Sequence, residues 1–238
     1  VRATDNEDEA GKVEVVVVRL DASDETVRGM DAVLSHGERQ RARRFVLGRD
    51  RRRFVVGRAR LREMLGARLG SRPESIELTY GAGGKPAISP SVPCADLRFN
   101  LSHSGDLAVY AFAYGREVGV DVEAVRALRD ADRIAARFFS PREFREYLAL
   151  RPCDRPLGFF NCWTRKEAFI KALGEGLSHP LGRFDVSLGP CEPARIHRIG
   201  STPGAERDWR MESFFPASGY VAAVVASRAT PRLGKPAS

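Results

Sequence analysis

The sequence predicts an α+β fold of two similar-sized halves, residues 1–118 and 119–238. Three observations predict it. Predicted helices precede predicted strands twice along the chain, which is the pattern of segregated α+β units. A length of 238 residues allows two small cores or one large one. With 43% hydrophobic and 29% charged residues, the composition is that of a globular protein and argues against disorder. No sequence repeat relates the halves.

The elements follow in order. Residues 1–12 read as a loose tail. VEVVVVRL (13–20) is a buried strand by its β-branched run. Residues 35–70 are helical and break near Gly48 into two helices. They carry twelve arginines between Arg39 and Arg68. IELTY (76–80) is a short strand, and the Gly/Pro-rich 81–93 is a loop. LRFNLS (97–102) and LAVYAFAY (107–114) are strands bracketing SHSGD. VGVDVE (118–123) is a further strand.

Residues 130–150 are helical with a break at Ser140-Pro141. There Ser, Pro and Glu143 form a helix start signal. The helix at 157–173 stops at Gly174. RFDVSL, ARIHRI, DWRMESFF and GYVAAVVA are strands, and ATPRLGKPAS is a frayed end.

Charge narrows the partners. The net charge is +8 and the pI about 9.7, so an acidic partner is expected: nucleic acid, anionic membrane, phosphate-bearing ligand or acidic protein. Of 39 basic residues only Lys12, Lys85, Lys166, Lys171 and Lys235 are lysine. Retained lysine in an arginine-rich chain hints at sites that need a compact point charge. Cys94, Cys153, Cys162 and Cys191 form no CxxC pair, which argues against structural zinc and fits a reducing cytoplasm. The polar, acidic start reads as no signal peptide, and no apolar run approaches a membrane span. The Asn100-Leu101-Ser102 glycosylation match then reads as accidental.

Four segments carry candidate chemistry. In VGVDVE, alternation puts Val118, Val120 and Val122 on one face and Asp121 and Glu123 on the other, ~7 Å apart. Either that face is wet, as on a solvated edge strand, or something positive sits there. GAGGKP (81–86) lacks the GK[ST] ending of a phosphate loop; read alone it is a hairpin turn. SHSGD (102–106) is no serine-hydrolase elbow, because position 100 is Asn and a strand follows. Its backbone N–H groups with Ser102 and His103 could line an anion pocket. On the helix within FFNCWTRKEAFIKALGEGL (159–177), Trp163, Glu167 and Lys171 recur every four residues and share a face, with Lys166 beside them. An exposed Glu–Lys pair is the bland reading, but Trp163 argues for a partly dry face. Glu167 facing Asp121 and Glu123 makes an all-oxygen set suited to Mg²⁺ and phosphate oxygens. The set and the nearby lysines point to metal-assisted phosphoryl chemistry.

GKP, FNLSHSGD, GVDVE and WTRKEAFIKALGEGL, in this order, resemble the 4'-phosphopantetheinyl transferases, specifically the monomeric surfactin-synthetase-activating type. ERQRARRF…RDRRRF…G (38–57) is similar to that family's N-terminal region. The resemblance runs from about residue 30 to 190, and its last two blocks are specific only together. It implies two halves related by a pseudo-twofold axis, with coenzyme A in the cleft between them. It implies transfer of phosphopantetheine from coenzyme A to a serine of an apo acyl or peptidyl carrier protein, releasing adenosine 3',5'-bisphosphate.

By position, the resemblance makes Asp121, Glu123 and Glu167 the Mg²⁺ site. It makes Glu167, Lys171 and His103 catalytic. Arg41, Arg53, Lys85, Ser102, His103, Lys166 and Lys171 become coenzyme A contacts. The nucleotide would lie on the N-terminal half, and the metal site and catalytic helix on the C-terminal half. Glu38 and Phe54 depart from the family's basic and hydroxyl-bearing residues. The expected protein is a cytoplasmic monomer with no nucleic-acid or membrane partner. An arginine-helix nucleic-acid module leaves the three acids unexplained and has no stacking platform. An ATP-dependent phosphotransferase lacks its loop.

Overall fold

The computed structural model describes residues 12–81, 85–92, 96–174 and 180–228. The two tails, the tip of GAGGKP and the end of the GEGL motif lie outside the described residues. Strand β1 (Glu14–Arg19) is followed by helices α1 (Asp24–Asp31), α2 (His36–Arg43) and α3 (Gly48–Leu69). The hairpins β2 (Leu78–Tyr80)–β3 (Pro86–Ile88) and β4 (Leu97–Ser104)–β5 (Leu107–Tyr114) complete this part. The second part has the same order: β6 (Val118–Ala124), then α4 (Ala131–Phe138), α5 (Pro141–Ala149) and α6 (Arg155–Leu173). It ends with the hairpins β7 (Phe184–Val186)–β8 (Ile196–Ile199) and β9 (Trp209–Phe214)–β10 (Tyr220–Ser227).

The fold is α+β, as the sequence predicts. Each part holds a three-stranded antiparallel sheet whose last strand is central: β1-β5-β4 and β6-β10-β9. α1 was not expected; Ser23 caps it by accepting from the Thr26 amide, and Met30 anchors it. The expected loop at 81–93 contains β3, held by its ladder to β2 despite Pro86 at the strand start. The break near Gly48 and the start at Ser140 are as expected, and Ser140 forms a full capping box with Glu143.

Three cores organise the chain. One lies under α1–α3 with Leu20, Leu61, Leu65 and Phe112. A second packs α4–α6 on the second sheet around Phe159, Phe169, Ala223 and Val225. The third joins the sheets: Val109, Ala111 and Ala113 of β5 meet Val118, Val120 and Val122 of β6. This explains why LAVYAFAY is almost continuously apolar, since both its faces are buried. The valine face of β6 is thereby fixed inward, and its acidic face is turned to α6. No helix among the described residues is long and apolar enough to cross a membrane.

Candidate active site

Among the described residues β6 has a backbone ladder to β10 on one side only. Its other edge runs beside β4 and is satisfied by side chains. Asn100 Oδ1 accepts from the Val120 amide (2.9 Å), and Ser104 Oγ accepts from the Ala124 amide (3.2 Å). Lys85 donates to the Val118 carbonyl (3.1 Å), and Lys171 to the Val120 carbonyl (3.3 Å). An edge of this kind must be covered or paired, and here polar side chains do it.

The same seam gathers the acids. Ser102 Oγ donates to Asp121 Oδ1 (2.7 Å), and Ser104 Oγ donates to Glu123 Oε2 (2.9 Å). Lys171 Nζ lies 2.6 Å from Asp121 Oδ1 and 3.1 Å from Ser102 Oγ. The acidic face of β6 is therefore not a solvated edge: Asp121 is buried, at 5% exposure. α6 brings Glu167 and Lys171 over this face by crossing β6 at Gly119. A Cβ there would sit 2.1 Å from the Ala168 carbonyl oxygen and 2.3 Å from the Ala172 nitrogen, so only glycine admits the crossing.

The carboxylates disturb one another. Burial raises the Glu167 pKa, and the charges of Asp121 and then Glu123 add to it against Lys171. Burial likewise raises Glu123, with Asp121 adding and Ser104 opposing. Asp121 Oδ2 and Glu167 Oε1 are buried and accept no hydrogen bond among the described residues. Among the described residues no three His, Cys, Asp or Glu side chains are placed as a group that could hold a metal ion. The all-oxygen donors, the raised pKa values and the two unbonded oxygens nevertheless fit a hard cation.

His103 falls on the other face of β4 from Ser102 and is exposed. Desolvation, then the charges of Lys171 and Arg53, lower its pKa and favour the neutral ring. Arg53 is ion-paired with Asp106 of the SHSGD turn (2.8 Å) and lies 3.5 Å from Asp50. The Arg41 guanidinium lies 5.4 Å from the Phe54 ring, beside a cleft of ≈ 580 Å³ also lined by Gly37, Gln40, Arg44 and Phe45. Glu38 closes the α2 capping box and pairs with buried Arg62 (2.6 Å), so its acidity serves the helix packing.

Two expected contacts lie elsewhere. Lys166 is not brought to this cluster. Its ammonium is buried against Glu143 (2.8 Å) and the carbonyls of Leu181 and Phe184 (2.7 Å each). Helical geometry explains this, because residue 166 is turned ~100° from residue 167. Lys85 is engaged with backbone carbonyls at the seam rather than with the α2–α3 cleft. The sequence reading also missed Asn100 and Ser104. Their period-two spacing with Ser102 in FNLSHS was the available signal.

Buried Asp121, half-buried Glu123 and Glu167, and the Lys171 ammonium thus share one patch where α6 crosses β6. Residues 117–225 match the model of the 4'-phosphopantetheinyl transferase superfamily. Residues 21–114 match that of the 4'-phosphopantetheinyl transferase N-terminal region. The 4'-phosphopantetheinyl transferase HetI of Nostoc sp. is 36% identical over 87% of this chain and 84% of its own. The 4'-phosphopantetheinyl transferase Sfp of Bacillus subtilis is 32% identical over 65% of this chain and 66% of its own. The crystal structure of holo-[acyl-carrier-protein] synthase from Thermotoga maritima aligns at 23% identity and a TM-score of 0.38, over 48% of this chain and 63% of that one. The chain belongs to the 4'-phosphopantetheinyl transferase family.

Proposed function

We propose that the protein transfers 4'-phosphopantetheine from coenzyme A to a serine of an apo carrier protein. The observation that carries this reading is Asp121 bonded to Lys171 and Ser102 and electrostatically coupled to Glu123 and Glu167, with Asp121 Oδ2 and Glu167 Oε1 buried and unbonded among the described residues. Asp121, Glu123 and Glu167 would hold Mg²⁺, which when bound neutralises charge on the coenzyme A diphosphate.

The chain's own groups supply the rest. Glu167, its pKa raised by burial and Asp121, takes the proton of the carrier serine, with Glu123 as the rival base. The serine oxygen attacks the β-phosphorus. The bond from that phosphorus to the bridging oxygen breaks, and adenosine 3',5'-bisphosphate leaves. Lys171 and neutral His103 donate to the transferring phosphoryl oxygens. The arginine-lined cleft at Arg41 suits the nucleotide end, and its volume falls in the range of ligand sites. The axis relating the halves belongs to this same reading, supported by their shared strand order.

Intact-mass spectrometry of an apo peptidyl carrier and an apo acyl carrier, each with the protein, coenzyme A and Mg²⁺, tests the reaction. A phosphopantetheine gain that EDTA abolishes is expected. No gain on either carrier and no binding of coenzyme A would overturn it.

A further inference from the structure

We infer that Lys85 is a positioning residue: it clasps the catalytic helix α6 to strand β6 instead of touching the nucleotide. Its ammonium donates to the carbonyls of Lys171 (2.7 Å) and Val118 (3.1 Å). Glu117 Oε2 stands 3.7 Å away as an ion-pair partner, and the side chain is only 22% exposed. An ammonium has three protons. Two of them are taken by backbone carbonyls, and the third faces the Glu117 carboxylate.

The two carbonyls are special. The Lys171 carbonyl lies in the last turn of α6, where carbonyls lack helical partners and the helix end favours a cation. The Val118 carbonyl lies on the edge of β6 that has no backbone ladder among the described residues. Between them the helix crosses the strand in backbone contact at Gly119. Lys85 therefore ties the β2–β3 hairpin to the point that sets where Lys171 Nζ and Glu167 fall over Asp121. Burial lowers the Lys85 pKa, with Glu117 opposing, as a cation held mainly by neutral carbonyls should show. An arginine fork is planar and longer and cannot meet these converging acceptors.

The inference rests on the phosphopantetheine-transfer reading. Its test uses the full chain with Lys85→Met and Lys85→Arg, assayed with coenzyme A and with 3'-dephospho-coenzyme A. Lys85→Met is expected to lower kcat at least ~10-fold while the KM for coenzyme A stays within ~3-fold. The preference for coenzyme A over its dephospho form should stay unchanged, and Lys85→Arg should not restore kcat. Amides at 170–174 should exchange hydrogen at least ~10-fold faster without substrate. A ~10-fold rise in KM with kcat kept, a lost preference for the 3'-phosphate, or unchanged exchange would overturn the assignment.

Should Lys85→Met not fold, Glu117→Gln decides. It removes the negative charge beside the ammonium and should lower kcat ~2–4-fold at constant KM; a changed KM at constant kcat overturns the clasp. Should the wild-type protein transfer nothing, the reaction reading has failed. Hydrogen exchange alone then judges Lys85.

Discussion

Helix α6 carries two lysine–carboxylate pairs five residues apart, and they differ in what is left over. Lys166–Glu143 (2.8 Å) is sealed, with side-chain exposures of 1% and 0%. Glu143 also accepts from the Ser140 amide and the Val186 amide (2.7 Å each), and Lys166 reaches two carbonyls. Lys171–Asp121 (2.6 Å) is open on one side, at 28% and 7%, and Asp121 Oδ2 is unbonded among the described residues. Two further carboxylates crowd it. The first pair is complete and can only hold structure. The second keeps a buried, unbonded carboxylate oxygen beside a partly open lysine, and that surplus is what the proposed function uses.

The comparison can be broken most strongly at Asp121. Asp121→Asn keeps the shape and removes the charge, and turnover should fall on the order of 10²–10³-fold or more while the thermal midpoint is kept. Near-normal turnover would remove Asp121 from the site. At the sealed pair the effect should reverse in kind. Lys166→Met leaves Glu143 buried and unpaired, which should destabilise the fold by about 3–5 kcal/mol in a denaturant titration. A folded, stable variant that has lost only coenzyme A affinity would return Lys166 to the ligand.

Glu167 sharpens the contrast. Its raised pKa means the folded protein binds that proton more tightly than the unfolded chain does. The associated stability is present below the unfolded carboxylate pKa and is lost as pH rises through the folded value. Glu167→Gln should therefore inactivate the enzyme yet raise the melting point of the metal-free protein at neutral pH. The scale is about 2–4 °C per kcal/mol regained, and the gain should vanish near about pH 4. Equal melting points at both pH values would show that the open pair carries no strain. The smallest effect concerns the arginine-rich surface of α2 and α3. If it steers an acidic carrier, kcat/KM should fall several-fold between about 50 and 300 mM salt while kcat holds. A flat profile would confine the chemistry to the seam.

Much of this was legible in the residues. Alternation in VGVDVE separates its valines from its acids, and fourfold spacing unites Trp163, Glu167 and Lys171. Capping signals start α5 and a glycine ends α6. The strand β3 and helix α1 were not legible, because each is short and depends on its ladder or its capped anchor rather than on periodicity. The retained lysines acquire a reason only in three dimensions. Lys85, Lys166 and Lys171 each donate to at least one backbone carbonyl as well as to a second acceptor, a task for a point charge with three fanned protons.

By itself the sequence determined the α+β order, the residue types of the site and which of them share a face, because those follow from local geometry at two or 3.6 residues per repeat. Only the tertiary structure decided that β6 has an edge closed by Asn100, Ser104, Lys85 and Lys171, and that Lys166 faces a core while Lys171 faces the acids. Burial and pairing depend on what packs opposite, which no local repeat contains.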